Sequence, residues 1–140
     1  MSPEASTPGD DGWLPGVVRV PSPHIYPAGH SQTKPIRIAV CHWTASPRGT
    51  DPHGAHPGRV STWLSGRTSQ SSTHFVVLRD GRIMQGAPLT ARTWHAGASR
   101  WGTLGPPSVN PWSIGVDIEN LGTLGRSGST WRDTYGLTYA

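Results

Sequence analysis

The chain has 140 residues, enough for one domain at most, and its seven tryptophans with only 14% charged residues argue for a folded chain. The net charge is +4, but the arginines and lysines are scattered singly and form no basic run, so we expect no nucleic-acid partner. No apolar stretch is long enough to cross a membrane, and residues 1–11 lack the apolar region of a secretory signal, so we expect a cytoplasmic protein without a membrane partner.

The first quarter of the chain predicts irregular structure followed by one strand. Residues 1–11 have little to bury and predict a disordered leader. Residues 12–35 are interrupted by prolines, which block a helix and remove ladder donors, so we expect an extended arm along the surface. Residues 36–41 predict the first strand. This strand ends at Cys41, the single cysteine, so an internal disulfide is impossible and we expect a small buried thiol.

Two further elements follow a loop that is rich in proline and glycine. Residues 60–64 predict one or two helical turns, which Gly66 would end. Residues 73–79 and 82–85 predict a β-hairpin, because Asp80 and Gly81 between them form a strong two-residue turn signal.

The last third of the chain predicts one strand and no helix. Residues 114–118 are apolar and predict a central strand, whereas the chain after Asn120 is polar and rich in glycine. Residues 131–140 show no helical period. The elements together predict an α/β domain with a mixed sheet and few helices. Such a sheet needs a long helix to cover one face, and no segment predicts one, so we expect a domain that is incomplete at its C-terminus.

Three histidines lie where strands or turns could hold them rigidly. His42 ends an apolar strand, which suits a metal ligand, although a backbone carbonyl can equally satisfy a histidine there. His74 alternates with Thr73 and Phe75, so that it is either structural or faces a groove. His95 precedes small residues that let a ligand approach the backbone closely, which leaves a binding role and a turn role open.

Two acids lie on the predicted strand near its end. Asp117 and Glu119 are two residues apart and therefore point to the same face. Burying both without a purpose is costly, so one is a candidate general base for a metal-bound water. The alternative is that one pairs with an arginine. His53 and His56 have a spacing that can chelate a metal, but their loop favours an exposed turn.

Taken in order, these segments resemble the type 2 N-acetylmuramoyl-L-alanine amidases, a zinc family that includes peptidoglycan recognition proteins. The resemblance covers residues 12 to about 120 and is closest to the branch of cytosolic muropeptide-recycling amidases. The segments that carry it are residues 12–14 with 19–24, 38–42, 72–77, 79–85, 92–97 and 113–120.

The resemblance implies an α/β fold in which a mixed central sheet is flanked by helices, with residues 12–140 as the N-terminal portion of an amidase-like domain. It implies zinc-dependent hydrolysis of the amide bond between N-acetylmuramic acid and L-alanine. The partners would be peptidoglycan or muropeptide fragments, without nucleic acid or membrane. The expected protein is a cytoplasmic monomer, or a cell-wall hydrolase that a phage delivers.

The resemblance also implies the catalytic and metal-binding roles. His42 matches a zinc ligand. Asp117 matches a catalytic acid that is a glutamate, one methylene longer, in many members, and Glu119 is the reserve for that role. The two other zinc ligands of the family come from a loop after a long helix, which would lie beyond Ala140.

Three residues are expected to serve substrate binding. His95 and Trp94 match the substrate groove, and His74 supports that groove from behind. A second function stays open, namely a non-catalytic peptidoglycan-binding module that lacks a complete zinc site.

Overall fold

The computed structural model describes residues 7–27, 32–45, 55, 57–66, 71–132 and 138–139. Its main feature is a five-stranded mixed sheet with the order β1-β4-β3-β5-β2. The predicted α/β class with a mixed sheet is therefore confirmed. The strands of this sheet are β1 (Val18–Arg19), β2 (Ile38–Trp43), β3 (Phe75–Val77), β4 (Ile83–Gln85) and β5 (Ser113–Ile118).

Strand β5 lies inside the sheet, and β2 lies at its edge. β5 pairs in parallel with both β2 and β3. Its buried positions alternate with more exposed ones, so Asp117 is buried while Ile118 on the opposite face is 46% exposed. The predicted strand over residues 114–118 is confirmed. The predicted first strand is present but lies two residues further on, because its pairing with β5 continues to Trp43.

Cys41 is exposed, so the predicted burial of its thiol was wrong. The reason is its place on β2, an edge strand whose side chains alternate between two faces. Cys41 and Trp43 share the exposed face, and His42 between them points to the other, half-buried face. An apolar run at a sheet edge thus exposes every second residue.

The hairpin of β3 and β4 forms around Asp80 and Gly81, as the sequence predicts, although the loop between the hydrogen-bonded residues has three residues and not two. Leu78 N–H donates to the carbonyl of Arg82 at 2.8 Å, and Gly81 has a φ of +85°, which favours glycine. The Asp80 carboxylate accepts a hydrogen bond from the Arg82 backbone at 2.9 Å and closes the turn. The tight turn sets the antiparallel register of the two strands.

Helix α1 (Pro57–Ser65) covers the hydrophobic core at one side of the sheet. Proline at its first position suits a helix start, and Val60 and Leu64 lie on one face because they are four residues apart. Each is only 2% exposed, and burying such a side chain contributes about 1.5–3 kcal/mol. The helix ends at Ser65, directly before Gly66 as predicted, but it begins at Pro57, three residues before the predicted start. Among the described residues no helix is long and apolar enough to cross a membrane. The core consists of Ala55, Val60, Leu64, Val76, Leu78 and Met84.

The N-terminal arm lies against β4 as a short parallel strand. Gln85 holds it there: its buried side-chain amide donates to the carbonyl of Gly12 at 3.1 Å and accepts from the N–H of Leu14 at 2.9 Å. Further along, Ile25 bridges to Thr93. The arm therefore reaches the loop that carries the tryptophan–histidine pair.

A second, three-stranded antiparallel sheet follows β5, and the sequence analysis missed it. Its strands are β6 (Gly125–Ser127), β7 (Thr130–Arg132) and β8 (Thr138–Tyr139). The two residues between β6 and β7 begin with Gly128, at a φ of +63°. A two-residue Gly-Ser loop is a hairpin signal, but the flanking strands are too short and polar to show alternation.

Candidate functional site

His42 and Asp117 face each other across the two parallel strands β2 and β5. They are register partners, so their side chains lie on the same face of the sheet. Asp117 is 8% exposed. The Nε2 atom of His42 is buried and has no hydrogen-bond partner among the described residues. A buried polar atom without a partner is costly, so this nitrogen is suited to a ligand other than the described residues.

The carboxyl group of Asp117 is held between opposing influences. Burial raises its pKa, because the charged form loses hydration. A hydrogen bond from the Thr73 side chain and the charge of His42 act in the opposite direction and lower the pKa. The effect of burial is the largest, so the pKa of Asp117 is raised and its carboxyl group takes up a proton at a higher pH than an exposed aspartate does.

His74 is completely buried and is held by two backbone groups. Its Nδ1 accepts a hydrogen bond from the Gly115 N–H at 3.1 Å, and its Nε2 lies 3.0 Å from the carbonyl oxygen of Ala91. A carbonyl can only accept, so Nε2 carries the hydrogen and the ring is neutral. Burial lowers the pKa of His74 to about 4, despite the opposing effect of the Ala91 carbonyl.

His95 is held by two hydroxyl groups, and their partners decide its tautomer. The Ser113 hydroxyl donates to the carbonyl of Val109 at 2.9 Å and must therefore accept from His95 Nε2, also at 2.9 Å. The Nδ1 atom of His95 then accepts from the Thr93 hydroxyl at 2.8 Å. Burial lowers the pKa of His95 to about 3, and repulsion from a positive charge on the ring of His74 or His42 acts in the same direction.

Gly115 creates the space in which this arrangement fits. A Cβ atom at this position would lie 2.7 Å from Cβ and Cγ of His95 and 2.8 Å from Oγ1 of Thr73. Real Cβ atoms essentially never approach other atoms so closely. The His95 ring centroid lies 6.3 Å from that of His42 and 5.8 Å from that of His74. The glycine in β5 therefore allows the three histidine rings to come together.

Trp94 forms an aromatic platform at the edge of this group. It is 44% exposed and stacks on Tyr26 of the N-terminal arm, with ring centroids 3.7 Å apart and an interplanar angle of 13°. The guanidinium of Arg92 lies over the Tyr26 ring at 4.8 Å. The arm thus supports a tryptophan that remains accessible to a ligand.

Glu119 lies apart from the histidines and is bound to Arg79. One carboxylate oxygen of Glu119 lies 3.6 Å from the Arg79 guanidinium. The other accepts a hydrogen bond from the backbone N–H of Arg79 at 3.1 Å. The Glu119 side chain is fully buried in this ion pair. Of the two acids, Asp117 is the one beside His42.

The structure thus brings together four of the residues that the sequence singles out, namely His42, His74, His95 and Asp117, and it places Trp94 at the edge of this group. His53 and His56 lie outside the described residues. Sequence reasoning missed the hydroxyl groups between the histidines and the aromatic partner of Trp94. In the sequence, the only sign of these hydroxyl groups was that two threonines directly precede candidate residues, Thr73 before His74 and Thr93 before Trp94. The missed residues are Thr73, Thr93, Ser113 and Tyr26.

On this mixed sheet, a buried carboxyl group thus lies beside a histidine nitrogen that has no hydrogen-bond partner in the described part of the chain. The family model of N-acetylmuramoyl-L-alanine amidase matches residues 32–137. The chain therefore belongs to the N-acetylmuramoyl-L-alanine amidase family.

Relatives from two bacteria agree with this assignment. The 1,6-anhydro-N-acetylmuramyl-L-alanine amidase AmpD of Citrobacter freundii is 31% identical over 94% of this chain and 73% of its own length. The protein of the same name from Escherichia coli is 30% identical over 94% of this chain and 74% of its own length. A crystal structure of a selenomethionine derivative of AmpD superposes with a TM-score of 0.58 at 30% identity, covering 85% of this chain and 69% of that one.

Proposed function

We propose that the chain hydrolyses the amide bond between N-acetylmuramic acid and L-alanine in peptidoglycan or muropeptides. Its membership of the amidase family supports the reaction type. The names of its relatives support a 1,6-anhydro sugar as the form of the muramic acid. The observation that carries the proposal is the juxtaposition of His42 and Asp117, since it brings a buried carboxyl group next to a histidine nitrogen for which the described segments provide no hydrogen-bond partner.

Asp117 is the residue that moves a proton in this proposal. Its carboxylate accepts a proton from the water that attacks the amide carbonyl, and the same proton then passes to the leaving nitrogen of L-alanine. The new bond joins the water oxygen to the carbonyl carbon, and the C–N bond breaks. Trp94 offers its exposed face to the sugar ring of the substrate. His95 and His74 build the wall of the site, since the described hydrogen bonds already use both ring nitrogens of each.

Zinc is the cofactor that we propose, with His42 Nε2 as one of its ligands. A catalytic zinc site takes three protein ligands, and when bound the ion polarises a carbonyl and activates a water. Within the described ranges no group of three His, Cys, Asp or Glu residues could hold a metal ion. The described residues thus fit one ligand position and not a complete shell.

Release of free stem peptide from an anhydro-muropeptide, followed by mass spectrometry, tests the reaction. We expect peptide release by the wild-type chain with zinc, and a loss of about 100-fold or more in Asp117→Asn. Asp10→Asn, a change of an exposed aspartate near the N-terminus, is the matched control and should keep wild-type activity. A wild-type chain that releases no peptide would overturn the proposal.

Zinc stoichiometry on the same preparations tests the metal site. One equivalent of zinc that is lost in His42→Ala and kept in His24→Ala would support His42 as a ligand. Nitrogen Nε2 of His24 already bonds to the carbonyl of Gly66 at 2.8 Å, so this histidine is a suitable control.

A second candidate function is a peptidoglycan-binding module without hydrolysis. The incomplete set of ligands in the described part of the chain favours it. Calorimetric binding of the muropeptide without peptide release, and without zinc, would select this function over the first.

A further inference from the structure

The side chain of Tyr26 supports Trp94 from the N-terminal arm. The two rings are stacked, with centroids 3.7 Å apart and an interplanar angle of 13°. The Trp94 side chain nevertheless remains 44% exposed, so Tyr26 covers only part of the indole and leaves room for a ligand ring. The proposed function uses Trp94 but has given Tyr26 no role.

Backbone pairing fixes the place of Tyr26. Its N–H donates to the carbonyl of Arg92 at 3.0 Å, and the preceding residue, Ile25, forms an antiparallel bridge with Thr93. The arm therefore runs alongside the two residues that directly precede Trp94. Because these hydrogen bonds hold both backbones, the ring of Tyr26 has a defined position next to the indole.

Ser72 ties the backbone of Trp94 to the same arm. Its hydroxyl donates to the carbonyl of His24 at 2.5 Å and accepts from the N–H of Trp94 at 3.0 Å. The N–H of Ser72 donates to the carbonyl of Trp94 at 3.2 Å. Ser72 is only 3% exposed, so water competes little for these hydrogen bonds. The arm thus holds Trp94 at its backbone as well as at its ring.

The guanidinium of Arg92 restrains the ring of Tyr26. It lies over that ring at 4.8 Å, a distance at which a cation is attracted to an aromatic face. Arg92 and Trp94 are two residues apart on one segment, and both contact the same tyrosine. A tyrosine ring with both contacts turns less freely, and an indole stacked on a restrained ring is itself restrained.

We propose that Tyr26 is a positioning residue that holds the Trp94 indole in the orientation in which its open side meets the sugar ring of the substrate. An unsupported indole turns about its side-chain bonds, and a ligand that stops this motion loses affinity. The stack on Tyr26 restricts the motion before the ligand binds. The N-terminal arm is thereby part of the substrate site. This proposal rests on the proposed function, in which Trp94 contacts the sugar.

Substrate binding by variants of the arm tests the proposal. Tyr26→Leu removes the aromatic ring and should weaken muropeptide binding about 3- to 10-fold in calorimetry without added zinc. With zinc, KM should rise by about the same factor while kcat stays within about twofold. Tyr26→Phe keeps the ring and should bind within about twofold of the wild type. Val18→Ala shortens an exposed side chain on β1 of the same arm and is the control that should leave affinity unchanged. Equal affinity in Tyr26→Leu and wild type, or equal loss in both Tyr26 variants, would overturn the proposal.

A double-mutant cycle separates positioning of Trp94 from general support of the fold. In a chain that already carries Trp94→Ala, Tyr26→Leu should weaken binding by less than about twofold further, because Tyr26 acts through the indole. A further loss of the full 3- to 10-fold in that background would contradict the positioning role.

A measurement on the wild-type chain covers the case in which Tyr26→Leu does not fold. In NMR spectra without added zinc, nuclear Overhauser contacts should join the ring protons of Tyr26 to the indole protons of Trp94. Adding the muropeptide should shift the indole resonances and keep these contacts. Loss of the contacts on addition, or indole resonances that do not move, overturns the role of Tyr26. A wild-type chain that binds the muropeptide but releases no peptide overturns the proposed hydrolysis instead.

Discussion

His74, the residue directly before β3, is linked to β5, because its ring Nδ1 accepts a hydrogen bond from the N–H of Gly115 at 3.1 Å. On its other side the same ring donates to the carbonyl of Ala91 in the following loop. The neutral ring of His74 thus connects three segments by hydrogen bonds: its own segment, β5 and the loop that contains Ala91. Protonation would put a second donor against the Gly115 N–H and break this link.

The buried histidines should make folding stability depend on pH. The pKa of His74 is lowered from 6.5 to about 4, so between these values the unfolded chain binds a proton that the folded chain does not. The contribution of His74 to the free energy of unfolding is therefore complete above about pH 6.5. It is lost as the pH drops toward 4, by up to about 3 kcal/mol. Urea denaturation at pH 7.5, 6.0 and 5.0 measures it. His74→Gln should show a smaller loss between pH 7.5 and 5.0, and an unchanged loss would contradict the assignment.

Gly115→Ala should destabilise the chain and disturb the site together. The added methyl group would meet the His95 side chain and the Thr73 hydroxyl at under 3 Å, and such overpacking costs about 1–3 kcal/mol. Gly58→Ala is the matched control, since a Cβ atom at Gly58 in α1 meets nothing within 4 Å. Thermal unfolding should show a lower Tm for Gly115→Ala and no lowering of the Tm for Gly58→Ala. Equal melting temperatures would mean that His95 can move aside freely.

Loss of charge at Glu119 should lower mainly the folding stability, whereas loss of charge at Asp117 should lower mainly the activity. Glu119→Gln leaves the guanidinium of Arg79 without its carboxylate and should lower stability by about 3 kcal/mol, while most of the activity remains. Asp117→Asn should abolish peptide release without a comparable loss of stability, because burial already disfavours its charged form. Denaturation and activity measured on both variants separate the roles. A larger loss of activity in Glu119→Gln than in Asp117→Asn would reverse the assignment.

Trp94→Ala should weaken muropeptide binding about tenfold while lowering stability only slightly. Loss of a stacking ring removes about 1–1.5 kcal/mol of contact, and the indole is already 44% exposed. Trp131→Ala is the matched control, because Trp131 has the same exposure but lies in the second sheet. Isothermal titration calorimetry with one muropeptide compares them. Equal affinities in the two variants would show that Trp94 does not contact the muropeptide.

The parts of the fold that the sequence predicts well are those with strong local signals. The Asp80-Gly81 turn determines the hairpin, and the apolar run of β5 determines an inner strand. Burial on β2 could not be predicted, because an apolar run does not say whether its strand lies inside a sheet or at the edge. The strands on either side of Gly128 were too short and too polar for a periodic signal.

The residues of the candidate site that could be predicted are its titratable groups and Trp94. His42, His95 and Asp117 stand out by residue type and position. Thr93 and Ser113 became functional candidates only in the fold, because their hydroxyl groups meet the His95 ring from segments about twenty residues apart. Ordinary threonines and serines carry no sign of such a contact in a single sequence.

The exposed thiol of Cys41 makes the chain convenient for spectroscopy. It is the single cysteine of the sequence and directly precedes His42, with its side chain on the opposite face of β2. A maleimide-linked spin label or fluorine probe would therefore attach at one defined place without any mutagenesis. Such a reporter would sit one residue from His42 but on the opposite face of β2, so it would report ligand binding at His42 without covering the buried Nε2 atom.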